Sequence, residues 1–225
     1  MHARYTALRS ATLQALAAGA VPLVILPIET PPPAEQGLTE TEAARAARFR
    51  LSADRLAFSL GRTLTRYLVF GDSRRPDMAF GPQGKPFLPD GIGFNLSHSG
   101  GYLALVLGAT VGVDIEIGPR DGRFHDLLPL VAHPAERDVL EAAPPEAQRG
   151  LFLHCWTRKE AALKAWGIGL SDGLTALDTQ LAAPQPTLDG APPLRLHDLS
   201  LPTEGGLVGA VAAPVTAGPV ARVTL

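Results

Sequence analysis

Three short stretches gather side chains whose types and spacing permit chemistry. In Gly112-Val113-Asp114-Ile115-Glu116-Ile117, apolar and acidic residues alternate. On a β-strand this sends both carboxylates to one face and the three aliphatics to the other. Two carboxylates one pleat repeat apart, roughly 7 Å between Cα atoms, repel unless positive charge lies between them. Hard divalent cations suit such oxygens; the alternative is an exposed strand face where acids are harmless. Asp and Glu are poor strand formers, and the flanking aliphatics mark the strand as central.

The second stretch is helical, Phe152 to Trp166. On a wheel of about 100° per residue, Phe152, Cys155, Trp156, Leu163 and Trp166 make one apolar stripe. Lys159 falls in its middle, where an ammonium must snorkel or find an acidic partner. Glu160 and Lys164 lie side by side at the stripe's edge in the favourable i, i+4 order, which an ordinary surface ion pair would also show. The third stretch is Phe94-Asn95-Leu96-Ser97-His98-Ser99-Gly100-Gly101, preceded by Gly84-Lys85-Pro86. Hydroxyls, a histidine and glycines at a strand end offer donors to a phosphate. Plain turn chemistry would choose the same residues. Neighbours on a strand point to opposite faces, which makes Ser97 and His98 a poor nucleophile pair.

The elements that must position these stretches follow from the pattern. A short helix near 7–18 and a buried strand Val21–Ile28 precede a stiff Pro31-Pro32-Pro33 connector. Two helices follow, broken near Ser52 and Asp54, with Thr39 or Thr41 as N-cap and Glu42 three residues beyond Thr39. Leu51, Leu56, Phe58, Leu60, Leu64, Tyr67 and Leu68 form their apolar side. Arg45, Arg48, Arg50, Arg55, Arg62 and Arg66 crowd the other, read for most of them as a solvated face. Residues 71–93 read as loop. Strands Gly91–Leu96 and Tyr102–Gly108 flank a turn at 97–101, and Val111–Ile117 follows. Residues 118–150 are helical in two pieces around His133-Pro134, and the strongest helix spans Gly150–Trp166, stopped by Gly167-Ile168-Gly169. Late strands are expected at Leu207–Ala213 and Val220–Leu225. This mixed order predicts α+β, or α/β with partly antiparallel sheets.

Composition narrows the function classes. The 225 residues are 46% apolar and 19% charged, an ordinary globular balance that excludes wholesale disorder. Twenty basic residues against 22 acidic ones leave no overall field for nucleic acid or an anionic membrane. A single cysteine, Cys155, excludes an intramolecular disulfide and fits a cytoplasmic location. Residues 11–28 imitate a signal peptide, but Gln14 and Pro22 interrupt the run, and helix plus strand is the better reading. No other stretch is long and apolar enough to span a membrane.

GKP at 84–86, FNLSHS at 94–99, GVDIE at 112–116 and FLHCWTRKEAALKAWGIGL at 152–170 occur in order and at sensible spacing. The sequence thereby resembles the 4'-phosphopantetheinyl transferase superfamily, in its larger, surfactin-synthetase-activator type. The resemblance implies an α+β fold in which two similar α/β subdomains, residues 1–110 and 111–225, are related by a pseudo-twofold with the active site in the cleft between them. It implies Mg²⁺-dependent transfer, with Mn²⁺ as the alternative ion, of phosphopantetheine from coenzyme A to a serine of an acyl- or peptidyl-carrier protein, releasing 3',5'-ADP. By the same resemblance Asp114, Glu116 and Glu160 are the metal ligands and Lys164 contacts the pyrophosphate. Lys85, Ser97 and His98 surround the 3'-phosphate, and Arg48 and Arg55 assist. Glu160 is the first choice for general base and Glu116 the second. Relatives often carry a basic residue where Ala57 or Phe58 stands. A chain holding both halves needs no second subunit, which implies a monomer. The competing readings are a metal-dependent phosphohydrolase of coenzyme A or nucleotides and a non-catalytic coenzyme A binder.

Overall fold

The computed structural model describes residues 2–32, 37–73, 77–81, 84–89, 92–117, 124–169, 173–200 and 206–225. The expectations at Pro33, Gly91, residues 118–123 and Leu170 fall outside these. The chain forms two units, Met1–Ala109 with Ala217–Leu225, and Thr110–Thr216. Both mix helices with sheet, an α+β fold.

The first unit contains α1 (His2–Ala17), β1 (Val21–Pro27), α2 (Glu40–Ala46), α3 (Ser52–Phe70), β2 (Ala79–Phe80), β3 (Pro86–Phe87), β4 (Phe94–Ser99) and β5 (Tyr102–Leu107). It ends with the last strand of the chain, β10 (Val220–Val223). The unbroken apolar run of β1 suits a strand paired on both sides. It lies parallel to β10 and antiparallel to β5 in the order β10-β1-β5-β4. Leu60, Leu64 and Leu68 recur every fourth residue on α3, so they share one face. That face packs with Tyr5 and Leu8 of α1 against Leu103, Leu105 and Leu107 of β5.

Three details depart from the sequence pattern. The segment read as loop carries the small β2–β3 pair. Ser97, His98 and Ser99 lie inside β4, opposite Ala104, Leu103 and Tyr102, and the reversal is made by Gly100 and Gly101 alone. Both have positive φ, 57° and 81°, which suits a two-residue hairpin and favours glycine. The arginine face is not wholly solvated either. Arg66 is buried and bidentate on Glu42, at 2.8 and 2.6 Å, and also donates to the carbonyls of Ser73 and Gly37. Glu42 meanwhile closes the capping box with Thr39. One carboxylate thus caps α2 and neutralises a cation on α3. Arg62 is buried beside the same carboxylate, with its guanidinium over Phe58 and Phe80.

The second unit contains β6 (Gly112–Glu116), α4 (Phe124–Val131), α5 (Pro134–Ala142), α6 (Pro145–Trp166), a 3-10 turn at Leu174–Ala176, β7 (Thr187–Leu188), β8 (Leu194–Ser200) and β9 (Val208–Pro214). Its sheet is antiparallel, in the order β6-β9-β8-β7. Helix α6 starts five residues earlier than Gly150, because proline is well suited to a first turn. One side of α6 lays Ala161, Ala162 and Ala165 on Leu194, Leu196, Ala210 and Ala212. The other packs Phe152, Leu153 and Cys155 against Phe124, Val131 and Leu140. The units repeat one plan of strand, helix and hairpin: β1, α3, β4–β5 with order β1-β5-β4, and β6, α6, β8–β9 with order β6-β9-β8.

Lys159, placed by sequence in the middle of an apolar stripe, is buried and has its acid. Its Nζ lies 2.7 Å from Glu136 Oε2, on α5, and donates to the carbonyls of Leu174 and Leu177. Glu136 also accepts from Thr179 N (2.8 Å), Thr179 Oγ1 (2.6 Å) and Cys155 Sγ (3.3 Å). Burial alone would raise the Glu136 carboxyl, but the bonds from Lys159 and Thr179 outweigh it and hold it below its ordinary value. Next along α6, Arg158 clamps both oxygens of Asp198 on β8 and the carbonyls of Thr179, Gln180 and Ala183. Burial pushes Asp198 up, yet the bonds and charge of Arg158, with His154 nearby at 3.8 Å, prevail and bring it down to about 2.

Lys159→Met should strand Glu136 in a dry site and lower stability by about 3–5 kcal/mol, read from urea unfolding; a loss below about 1 kcal/mol would show that the pair is not structural. Because Asp198 titrates below its ordinary 3.8, its contribution is complete above that pH and is lost as pH falls towards 2. The urea midpoint should therefore drop more steeply between pH 4 and 2 in the unsubstituted protein than in Asp198→Asn; parallel curves would refute the assignment.

Candidate active site

The site grows from a place where strand and helix backbones touch. A Cβ built on Gly112 would lie 1.9 Å from the Ala161 carbonyl oxygen and 2.6 Å from Ala165 N. Only a residue without a side chain lets α6 lie this close to β6. Since β6 alternates faces, the side of Gly112 is also the side of Asp114 and Glu116. The register agrees, setting Gly112, Asp114 and Glu116 opposite Ala212, Ala210 and Val208, and the two alanines belong to the patch under α6. On α6, Glu160 and Lys164 flank Ala161 and share its face, one helical turn apart.

The result is a small charged cluster. Lys164 Nζ donates to Asp114 Oδ1 at 2.6 Å, lies 3.9 Å from Glu160 Oε2, and is 3.5 Å from the Val113 carbonyl oxygen. The side chains of Asp114 and Glu160 are 4% and 9% exposed, that of Lys164 30%. Glu160 Oε1 is buried with no hydrogen-bond partner among the described residues. Burial raises the Glu160 carboxyl; the Lys164 charge opposes this, the negative charges of Asp114 and Glu116 reinforce it, and it comes to about 7. A carboxyl near neutrality can hold or release a proton at physiological pH, as acid–base catalysis requires.

The donors also suit a hard divalent cation. They are carboxylate oxygens from three residues, one of them buried without a hydrogen bond, in a neighbourhood with more negative than positive charge. They are not a ready-made cage: among the described residues no three His, Cys, Asp or Glu side chains are gathered as a metal-binding group.

The remaining residues named from the sequence belong to the first unit. Ser97 is buried and His98 exposed, the alternation expected of strand neighbours. Lys85 is half-buried, and burial lowers its ammonium below the ordinary value. Arg48 and Arg55 are exposed, Arg48 between α2 and α3 and Arg55 in the first turns of α3. Arg45 stands over the Phe58 ring at 5.4 Å and, with Arg62 and Phe80, lines a cavity of about 190 Å³. Sequence reasoning did not assign roles to Gly112, Glu136 or Arg158. Gly112 was visible inside GVDIE, yet nothing local tells a glycine at a helix contact from a glycine in a turn. Glu136 carried a signal in the His133-Pro134-Ala135-Glu136 spacing, which is a capping box.

A sequence profile of the 4'-phosphopantetheinyl transferase superfamily matches residues 110–212, the whole of this cluster included. The 4'-phosphopantetheinyl transferase HetI of Nostoc sp. is 31% identical over 203 residues, covering 83% of this chain and 84% of the relative. The 4'-phosphopantetheinyl transferase psf-1 of Bacillus pumilus is 33% identical over 174 residues, 71% of this chain and 68% of the relative. A putative 4'-phosphopantetheinyl transferase of Synechocystis sp. is 34% identical over 147 residues, 61% of this chain. That match spans 60% of the Synechocystis relative, and a match to AcpT of Salmonella typhi spans 63% of that protein. The chain belongs to the 4'-phosphopantetheinyl transferase superfamily.

If the contact at Gly112 sets the geometry, Gly112→Ala should destabilise the fold by about 1–3 kcal/mol or more. Gly150→Ala, on the same helix in open space, should be neutral or stabilising by about 0.5–1 kcal/mol. Thermal melts of both variants test this; equal melting temperatures would refute it.

Proposed function

We propose that the protein is a holo-[carrier protein] synthase of the larger, surfactin-synthetase-activator type. It transfers phosphopantetheine from coenzyme A to a serine hydroxyl of an acyl- or peptidyl-carrier protein. The observation that carries the proposal is the meeting of Asp114, Glu160 and Lys164 on the α6-facing side of β6. The serine oxygen forms a bond to the phosphorus that bears pantetheine, and that phosphorus loses its bond to the bridging oxygen. The proton leaves the hydroxyl, and 3',5'-ADP departs with the bridging oxygen.

Asp114, Glu116 and Glu160 would hold the divalent cation, Mg²⁺ or alternatively Mn²⁺, which supplies neutralisation of pyrophosphate charge when bound. Lys164 shares the negative charge that develops on the leaving group, as cationic clamps do in phosphoryl transfer. Glu160 takes the serine proton, with Glu116 as the second choice. In the first unit, Lys85, Ser97 and His98 receive the 3'-phosphate, and Arg48 and Arg55 assist. The repeated strand–helix–hairpin plan supports two similar halves, expected at 1–110 and 111–225, with a pseudo-twofold between them and coenzyme A in their cleft, although Ala217–Leu225 pairs into the first unit. A chain with both halves works as a monomer. A cytoplasmic setting is supported by its single, buried cysteine.

Intact-mass analysis of carrier proteins incubated with the protein, coenzyme A and Mg²⁺ tests this reading. One phosphopantetheine should be added, and EDTA should abolish the gain. Asp114→Ala and Glu160→Ala should each lose activity while melting cooperatively; normal turnover in either would remove this cluster from the mechanism. Loss of coenzyme A with no carrier modified would point instead to a phosphohydrolase.

A further inference from the structure

We infer that Lys164 is a built-in counter-ion, and that its exchange for a divalent cation couples cation binding to the arrival of coenzyme A. The inference rests on the function proposed above and concerns what that site does before substrate arrives.

Two nearly dry carboxylates stand together on β6 and α6, with a third acid, Glu116, on the same strand face. Burying such charges without a cation is costly. The Lys164 ammonium is the positive group held between Asp114 and Glu160, tight on the first at 2.6 Å and loose on the second at 3.9 Å. Lys164 holds an Asp114 oxygen, and among the described residues the acids are not gathered as a metal-binding group. An incoming divalent cation must compete with the ammonium for Asp114 Oδ1.

The displaced ammonium has somewhere to go. Lys164 sits in the last turn of α6 and is 30% exposed, so its head can swing outwards while the stem stays packed. In water it gains only solvation. Beside a pyrophosphate it gains an anion. The cation therefore binds with a handicap while coenzyme A is absent, and the handicap falls when coenzyme A supplies a partner for Lys164. By linkage, the cation strengthens coenzyme A binding by the same factor. Attraction between a bound cation and the phosphate charge of coenzyme A would add to this coupling whatever residue stands at 164. The share due to Lys164 is read from cation binding to the free protein.

The test is calorimetric titration of Mg²⁺ into the unsubstituted protein, Lys164→Met and Lys164→Arg, each with and without coenzyme A. Without coenzyme A, Lys164→Met should bind Mg²⁺ more tightly than the unsubstituted protein, on the order of tenfold, and should gain less when coenzyme A is added. Lys164→Arg, which keeps the charge, should keep the original pattern. Near-ultraviolet circular dichroism confirms that each variant is folded. Equal or weaker Mg²⁺ binding by folded Lys164→Met in the absence of coenzyme A would overturn the inference. So would an unsubstituted protein whose Mg²⁺ affinity ignores coenzyme A, and that measurement needs no variant. Failure of the unsubstituted protein to bind coenzyme A at all would sink the functional proposal as well. Carrier modification with Mg²⁺ binding unchanged by Lys164→Met would sink this inference alone.

Discussion

The approach of α6 to β6 at Gly112 is the constraint on which the second unit depends. A side chain there would overlap the backbone of the helix. Its absence lets α6 rest on a floor of alanines, Ala210 and Ala212 of β9, through its own Ala161, Ala162 and Ala165. Small residues on both partners bring the axis of the helix close to the sheet, so that residues one turn apart on α6 come level with residues two apart on β6. A helix one side chain further away would leave Asp114 and Lys164 as separate charges. Packing and chemistry are here the same geometric fact.

The far side of α6 is secured differently. Arg158 and Lys159 point into the protein and find their acceptors there: Asp198, Glu136 and carbonyls of the segment from the 3-10 turn to residue 183. One residue further along, Glu160 carries a buried oxygen with no hydrogen bond among the described residues and a carboxyl pushed up to about 7. Adjacent positions of one helix thus show opposite electrostatics. Arg158 and Lys159 are matched, whereas on the side facing β6 burial and the charges of Asp114 and Glu116 raise the Glu160 carboxyl. Proteins break the rule of satisfied buried polar groups where they do chemistry, and hold the rest of the scaffold to it.

Much of this was legible in the residues themselves. Period-two alternation in GVDIE and the 3.6 period in 152–166 named the strand, the helix and the faces of Asp114, Glu160 and Lys164, because those periodicities belong to the backbone and need no tertiary information. Lys159 announced itself as misplaced, and its need for an acid was predictable although the acid was not. Glu136 lies 23 positions upstream and is brought there by the path of α5, which no local pattern encodes. Arg66 was misread for the same reason: alone on a wheel it is an exposed cation, and only the capping box of α2 supplies the carboxylate that draws it in. The Ser97–Ser99 strand was missed because two glycines at positive φ reverse the chain in the smallest possible space, freeing turn-like residues to stay in the ladder.

The last strand has a consequence of a different kind. β10 leaves the second unit and returns to lie beside β1, parallel to it, at the edge of the first unit's sheet. The second unit is therefore an insertion within the first. During synthesis all of Thr110–Thr216 is made before Val220–Val223, the strand that the first unit's sheet still lacks. The usual N-to-C order of folding can thereby be inverted for the final step, the second unit closing before the first, whose sheet waits for β10.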